Sequence, residues 1–203
     1  MARSPTLTDG IVLLDEFRPD DLDAHVSGED EEHARRLGWY PDHSTRETAL
    51  TAFERWGRDW AEDGPTRALA ARRTDSGELV GGCQLRLREK RIGELSYWTF
   101  PQHRGRGFAR RAAALLCRYG FENLGIERIE AYVEPDNSNS RRVVEAVGFQ
   151  GKDSRESANL RSTATVETWC CMGCSRRIFR LAVATLSGDI CERWPTTEST
   201  RRA

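Results

Sequence analysis

The sequence has no run of apolar residues long enough to cross a bilayer, and its first residues, Met1-Ala2-Arg3-Ser4-Pro5, lack the apolar stretch of a secretory signal. These absences predict a cytoplasmic protein that binds no membrane. Net charge is also nearly absent, since 31 basic and 32 acidic side chains give a formal charge of -1. A general nucleic-acid binder needs a net basic surface, so we expect no nucleic acid among the partners.

Patterns of metal ligands are scarce as well. The last histidine in the chain is His103, so none follows the Cys-x-x-Cys at Cys171 and Cys174. A structural zinc site needs four ligands at regular spacing, and this pair has no second pair. We therefore expect free thiols and no metal. Cys83 and Cys117 fall in a predicted strand and a predicted helix, which suits small buried side chains in a reducing compartment.

The length of 203 residues, with 38% apolar content, allows one sizeable core. We predict one domain over residues 9–174, a flexible N-terminus at 1–8 and a partly disordered C-terminal extension at 175–203. Alternating helix and strand patterns indicate an α/β (α+β) domain with a mixed sheet. The oligomeric state stays open between monomer and homodimer.

One long helix is predicted in the first half of the chain. Ser44 and Glu47 stand three residues apart, as in a capping box, so Ser44 is expected to cap the helix. Its apolar residues recur every three or four positions, and they predict a buried stripe made of Leu50, Phe53, Trp56 and Trp60.

The most informative stretch is 97–109. Its first four residues are β-branched or aromatic and predict a strand that Pro101 ends, and a helix pattern follows. Between them lies the turn Gly105-Arg106-Gly107. Glycines let an anion approach the free backbone N–H groups at a helix start. The sequence therefore predicts a phosphate site here.

The spacing excludes two common phosphate motifs. A dinucleotide fingerprint needs a third glycine in register, and a P-loop needs Gly-Lys-Ser/Thr. The pattern Gln102-x-x-Gly105-x-Gly107 instead resembles the acyl-CoA pyrophosphate loop of the GNAT N-acetyltransferase superfamily. A second match follows in register, where Asn137 and Ser140 precede a short helix that ends in Gly148-Phe149. This form, over roughly residues 95–150, is most similar to the RimJ/RimL-like branch, whose members acetylate protein N-termini and sometimes small amines.

The resemblance implies a GNAT fold: a mixed, mostly antiparallel central sheet of about six to seven strands, flanked by helices and followed by an irregular tail. It implies acetyl-CoA as co-substrate and no metal. Backbone groups around Thr99 and Phe100 would pair with the pantetheine arm as an added strand would. The cofactor-binding residues it implies are Thr99, Phe100, Gln102, Arg104, Gly105, Arg106, Gly107, Phe108, Ala109 and Asn137.

Two residues are candidates for catalysis. Glu94 matches a position where related sequences carry a general base that acts through water; the alternative is a surface acid of a strand. The usual acid of the family is a tyrosine five residues before the phenylalanine of Gly-Phe, and Val144 stands there. Ser140 is the substitute that the resemblance implies, as a hydrogen-bond donor to the leaving sulfur. The alternative role of Ser140 is a helix N-cap.

The favoured acceptor is the α-amine of a protein N-terminus, because its pKa of about 8 makes it far easier to deprotonate than a lysine at about 10.4. One alternative is a small cationic amine, such as an antibiotic or a polyamine. The acidic run 29–32 would attract such a molecule if it faced the cleft; otherwise it is a solvated helix face. The missing tyrosine leaves a third alternative, a catalytically silent acyl-CoA-binding module.

Overall fold

The computed structural model describes residues 4–152 and 170–175 of the chain. These residues form one eight-stranded sheet with five α-helices. The strands are β1 (Leu7–Thr8), β2 (Val12–Asp15), β3 (Thr66–Arg73), β4 (Leu79–Arg88), β5 (Ile92–Thr99), β6 (Arg128–Val133), β7 (Gln150–Lys152) and β8 (Cys170–Ser175). The helices are α1 (Leu22–Gly28), α2 (Glu31–Leu37), α3 (Arg46–Ala61), α4 (Phe108–Asn123) and α5 (Ser138–Val147).

The sheet is mixed and mostly antiparallel, as the sequence predicts. Strands β1 to β5 form an antiparallel meander, β6 lies parallel to β5, and β8 pairs antiparallel with both β6 and β7. The count is eight rather than six to seven, because the two-residue β1 pairs with β2.

The chain ends differ in part from the prediction. Leu7 and Thr8 pair with Leu14 and Leu13, so the flexible terminus predicted at 1–8 does not extend to these residues. Strand β8 ends at Ser175. The rest of the predicted extension, 176–203, lies outside the described residues, as do residues 1–3.

Helices cover both faces of the sheet. Helix α4 packs its apolar side against β4 and β5 in the largest core cluster, where Leu85, Leu95 and Leu116 are almost fully buried. On the other face, α1 and α3 enclose a smaller aromatic cluster with Phe53 and Trp56. No helix within 4–152 and 170–175 is long and apolar enough to cross a membrane.

The start of α3 differs from the prediction by one residue. Thr45, not Ser44, is the N-cap, and its hydroxyl accepts a hydrogen bond from the backbone N–H of Thr48 at 3.2 Å. Phe53, Trp56 and Trp60 are buried as predicted, whereas Leu50 is 38% exposed.

Candidate active site

A gap opens in the sheet between β5 and β6. The two strands pair only from Ile92 to Glu94, which lies opposite Glu130. Past this point β5 continues to Thr99 with β4 on one edge only, within the residues that the structure describes. We call the opening between residues 95–99 of β5 and 131–133 of β6 the slot.

Backbone groups of β5 face the slot. Phe100 N–H donates to the carbonyl oxygen of Val80 on β4 at 2.9 Å. Because backbone groups alternate in direction along a strand, those of Leu95, Tyr97 and Thr99 point the other way, into the slot.

This direction corrects one predicted contact. The N–H of Phe100 is taken by Val80 and its carbonyl oxygen accepts from the N–H of His103 at 2.9 Å, so Phe100 offers the slot no free N–H. Thr99 keeps its predicted place, although its carbonyl oxygen also accepts from Arg104 Nε at 3.2 Å.

The glycine turn lies at the end of β5, as predicted. Gly105 has φ +75° and Gly107 has φ +80°, and a Cβ added to either would meet nothing within 4 Å. The glycines therefore permit the left-handed backbone and leave its outer side open. The first bond of α4 runs from Arg111 N–H to the Gly107 carbonyl oxygen at 3.2 Å. The N–H groups of the preceding residues of α4, Phe108 and Ala109 among them, thus have no acceptor within the helix, and Gln102 is exposed beside them in a 3-10 turn.

The arginines around the turn differ in what they bind. Arg104 forms a two-pronged ion pair with Asp30 at 2.7 and 2.9 Å and also contacts Glu32 at 3.2 Å. Its hydrogen bond lowers the pKa of the Asp30 carboxyl. Arg111 binds the buried carboxylate of Asp9 at 2.7 Å. Two further arginines have no ion-pair partner in 4–152 or 170–175, and these are Arg106 and Arg110.

The acidic run is only in part the solvated helix face that the sequence predicts. Glu29 is buried, with its side chain 3% exposed, and it accepts from Ser44 N–H at 3.2 Å and from Ser44 Oγ at 2.9 Å. Asp30 and Glu32 bind Arg104, which precedes the glycine turn. Glu31 and Glu32, with side chains 57% and 54% exposed, lie on a solvated helix face, and Glu31 also pairs with an arginine one turn away.

Helix α2 bridges the two loops at the open end of the slot. At its start, Asp30 and Glu32 bind the loop that follows β5. Near its end, Arg36 binds Glu134 and Asp136 in the loop that follows β6, the second at 2.8 Å. These ion pairs hold α2 against both loops, at the end of the slot where the strands diverge.

Glu94 sits at the vertex of the slot. It shares a sheet face with Trp98, which packs with the aromatic cluster of α1 and α3. Its side chain is 24% exposed and accepts from Arg88 Nε at 3.1 Å. Glu130, its neighbour on β6, is bound by Arg128 at 2.7 Å.

Ser140 is not a helix cap. Asn137 takes that place, and its Oδ1 accepts from Ser140 N–H at 3.0 Å. The Ser140 hydroxyl instead lies 2.7 Å from the hydroxyl of Tyr97, which also donates to the Ser140 carbonyl oxygen at 3.0 Å. Sequence reasoning missed Tyr97 in this role, because its partner stands 43 residues away. The only signal was its place in the strand before the glycine turn.

The candidate groups approach the slot from opposite faces. Tyr97 packs against the core cluster of α4, on the same face as Leu95, whereas Glu94 points to the face of α1 and α3. A thioester in the slot would have a carboxylate on one face and the Ser140 hydroxyl towards the other. This arrangement suits an acyl transfer in which the nucleophile enters from one face and sulfur leaves towards the other.

The chain matches the model of a known protein family. The model of the acetyltransferase (GNAT) domain matches residues 12–150. The chain belongs to the GNAT acetyltransferase family. Among curated proteins, an uncharacterized N-acetyltransferase of Bacillus licheniformis, p20, is 35% identical over 85 residues, which are 41% of this chain and 47% of that protein. The chain thus spans about half the length of the curated relatives it matches.

Solved GNAT structures share the fold at low identity. Mycobacterium smegmatis RimJ in complex with CoA-disulfide superposes with a TM-score of 0.72 at 19% identity, covering 92% of this chain and 98% of that one. The spermidine N-acetyltransferase of Vibrio cholerae, solved with CoA and spermine, gives a TM-score of 0.66 at 16% identity, with 83% and 98% covered. The GNAT fold predicted from the sequence is confirmed, and RimJ is among the structures that share it.

The cysteines give no metal centre in the part of the chain that the structure describes. No three His, Cys, Asp or Glu side chains converge there as ligands. Cys83 and Cys117 are both buried, as predicted. Cys171 and Cys174 lie in β8, and their side chains are outside the described part.

Proposed function

We propose that this protein transfers an acetyl group from acetyl-CoA to a primary amine, with the α-amine of a protein or peptide N-terminus as favoured acceptor. The observation that carries the proposal is the slot beside the glycine turn. A pantetheine arm can add to the free edge of β5, and a diphosphate can bind at the free N–H groups of α4. The CoA ligands of the two structural neighbours support this choice of cofactor.

The chemistry follows from the two faces of the slot. In a ternary complex, the amine attacks the acetyl carbon from the face of Glu94, which takes a proton from it through water. A backbone N–H of β5 stabilises the developing oxyanion. The C–N bond forms and the C–S bond breaks, and the electron pair of the latter passes to sulfur. Ser140 donates a hydrogen bond to the resulting thiolate.

The state of the acidic run supports an α-amine over a polycation. Glu29 of the run is buried, and Asp30 and Glu32 are bound by Arg104, so much of the acidic charge that would attract a polyamine is already neutralised or enclosed. An α-amine, by contrast, needs only one carboxylate and water to lose its proton near pH 7.

Release of CoA thiol with a panel of amines tests the acceptor. We expect turnover with peptides that carry a free N-terminus and none with the same peptides after N-terminal blocking. Turnover with spermidine or an aminoglycoside alone would assign a small cationic amine. Tight CoA binding without turnover on any amine would identify a silent binding module.

The variant Gly105→Glu tests the cofactor site. The new side chain would meet no neighbouring atom, although the φ of +75° strains any residue but glycine, so we expect a modest loss of stability while its bulk and charge exclude the diphosphate. We expect calorimetric affinity for CoA to fall at least 100-fold. Gly77→Glu is the matched control, since Gly77 has φ +73° and equally open surroundings in an exposed turn. Equal CoA affinities of the two variants would refute the site.

A further inference from the structure

The Tyr97–Ser140 contact joins the two sides of the slot. Tyr97 belongs to β5, past the last residue paired with β6, and Ser140 belongs to the first turn of α5. The Tyr97 hydroxyl bonds to both the Oγ and the carbonyl oxygen of Ser140, at 2.7 and 3.0 Å. Asn137 holds the Ser140 N–H. Both backbone polar groups of Ser140 and its hydroxyl are thus oriented.

Each oxygen of this pair has a definite hydrogen-bonding capacity. A tyrosine hydroxyl has one proton, and when that proton goes to the Ser140 carbonyl oxygen the tyrosine oxygen is left as an acceptor. In the absence of other partners, the Ser140 hydroxyl then donates to Tyr97. The serine proton is therefore held in one direction instead of rotating freely.

We infer that Tyr97 is a positioning residue, which holds the Ser140 hydroxyl ready to donate a hydrogen bond to the sulfur of the acyl carrier. This inference rests on the proposed function, because it assigns the sulfur subsite of the same cleft. When the C–S bond breaks, the Ser140 O–H turns from Tyr97 to the thiolate. The Tyr97 O–H turns from the carbonyl oxygen to Ser140 Oγ and keeps the serine oxygen paired.

No proton leaves the pair in this exchange. The electron pair of the broken bond stays on sulfur, and the thiolate departs or takes a proton from water. Burial raises the pKa of Tyr97 to about 12, so the phenol stays protonated and acts as a donor at neutral pH.

A double-mutant cycle on turnover tests the coupling. Tyr97→Phe keeps the ring and removes the hydroxyl, and we expect kcat to fall roughly tenfold with the KM for acetyl-CoA within twofold. Ser140→Ala should cost a similar factor, and the double variant no more than Ser140→Ala alone. Tyr119→Phe is the control, since Tyr119 packs against the same core cluster without contacting Ser140. If the fold-losses in kcat of Tyr97→Phe and Ser140→Ala multiply in the double variant, Tyr97 has only a structural role.

Binding provides a readout that is independent of turnover. A free thiol titrates near pH 8.5, so a site that stabilises the thiolate should bind CoA several-fold more tightly than acetyl-CoA as pH rises from about 6.5 to 9.5. We expect this gain in calorimetry of the unmodified protein and its loss in Tyr97→Phe and Ser140→Ala. A gain that survives Tyr97→Phe, or none in the unmodified protein, overturns the inference. A gain without turnover on any amine would refute the proposed function and leave the sulfur subsite standing.

Discussion

At the scale of single residues, Glu94 and Glu130 form a pair that invites a direct comparison. They lie opposite each other on β5 and β6, and each is bound by an arginine, Arg88 or Arg128. Because the slot opens immediately beyond them, both carboxylates border it. Only Glu94 stands on the strand that leads into the glycine turn, and this position favours it as the base.

We predict that Glu94→Gln lowers turnover on a peptide at least tenfold, most strongly at low pH. The reason is that an α-amine with a pKa of about 8 is then almost fully protonated and depends most on a base. A pH–rate profile measures the effect. Glu130→Gln is the matched variant and should stay within about threefold of the unmodified protein. A larger loss for Glu130→Gln would indicate that Glu130 on β6, and not Glu94, is the general base.

The arginines of the turn should separate by function. Arg106→Gln and Arg110→Gln are each expected to weaken CoA binding by about three- to tenfold, because these side chains are free to meet phosphates. Arg111→Gln should instead lower the melting temperature and spare affinity, since Arg111 ties α4 to the buried Asp9. Calorimetry and thermal unfolding of the same three variants measure both effects. If Arg111→Gln weakened CoA affinity and the other two variants did not, Arg111 would have to leave Asp9 to bind the ligand.

At the scale of elements, α5 is expected to matter through its first turn. Asn137→Ala removes the cap that holds Ser140 N–H, which should cost about 1 kcal/mol of stability. Turnover should fall more than fivefold, because Ser140 loses its fixed place beside the slot. Thr45→Ala removes the comparable cap of α3 and should cost similar stability with unchanged turnover. Equal turnover of the two variants would show that the position of Ser140 does not affect the reaction.

The elements also show where local patterns suffice. The stretch 97–109 forms the predicted strand, turn and helix, because Pro101 ends the strand and the two glycines permit the left-handed turn without distant help. The cap of α3 was placed one residue early, because Ser44 and Thr45 are both good caps. The choice falls to Thr45 since Ser44 is drawn to the buried Glu29, 15 residues away.

At the scale of the whole molecule, two buried histidines should govern stability in mild acid. Burial lowers the pKa of His25 and of His33 to about 4, from an ordinary value of about 6.5. Nearby carboxylates favour the charged forms: Asp21 raises the pKa of His25 and Asp30 that of His33, and the Glu29 carboxylate lies 3.5 Å from His25 and 3.9 Å from His33. Burial outweighs them, because both rings are at most 5% exposed and the Glu29 carboxylate is already engaged by Ser44.

The direction in which stability changes with pH follows from proton uptake on unfolding. Between about pH 6.5 and 4 the unfolded chain binds more protons at these histidines than the folded one, so stability falls as pH drops through this window. The loss is at most roughly 3 kcal/mol for each histidine. Denaturant unfolding at several pH values measures it. His25→Gln with His33→Gln should flatten the slope, whereas His43→Gln, at an exposed site, should not. A slope unchanged in the double variant would contradict the assignment.

Asp21 affects stability at lower pH than the histidines do. Burial alone would raise the pKa of Asp21, but hydrogen bonds from Arg72 and Arg18 outweigh it, so the pKa is lowered. A lowered pKa contributes stability above the ordinary value near 4, and this contribution is lost as pH falls further. Arg72 also binds the buried Asp15 at 2.7 Å and so joins β3 to β2. Acid unfolding should therefore deepen below pH 4.

Features that short stretches of chain can encode are predictable from the amino-acid sequence. The glycine turn, the apolar sides of α3 and α4 and the family pattern around it all follow from neighbouring residues, whose spacing constrains backbone angles and buried faces. These features are enough to predict the fold class, and they underlie the proposal of a phosphate site at the glycine turn.

Which distant groups meet depends on tertiary packing. The pairing of Tyr97 with Ser140 spans 43 residues, and that of Arg104 with Asp30 spans 74. The burial of Glu29 likewise depends on which elements pack around it. Local patterns cannot encode such contacts, because a side chain's partner is selected by the packing of the whole sheet with its helices. The opening of the slot past Glu94 arises in the same way, from how β5 and β6 diverge once both are held by their other neighbours.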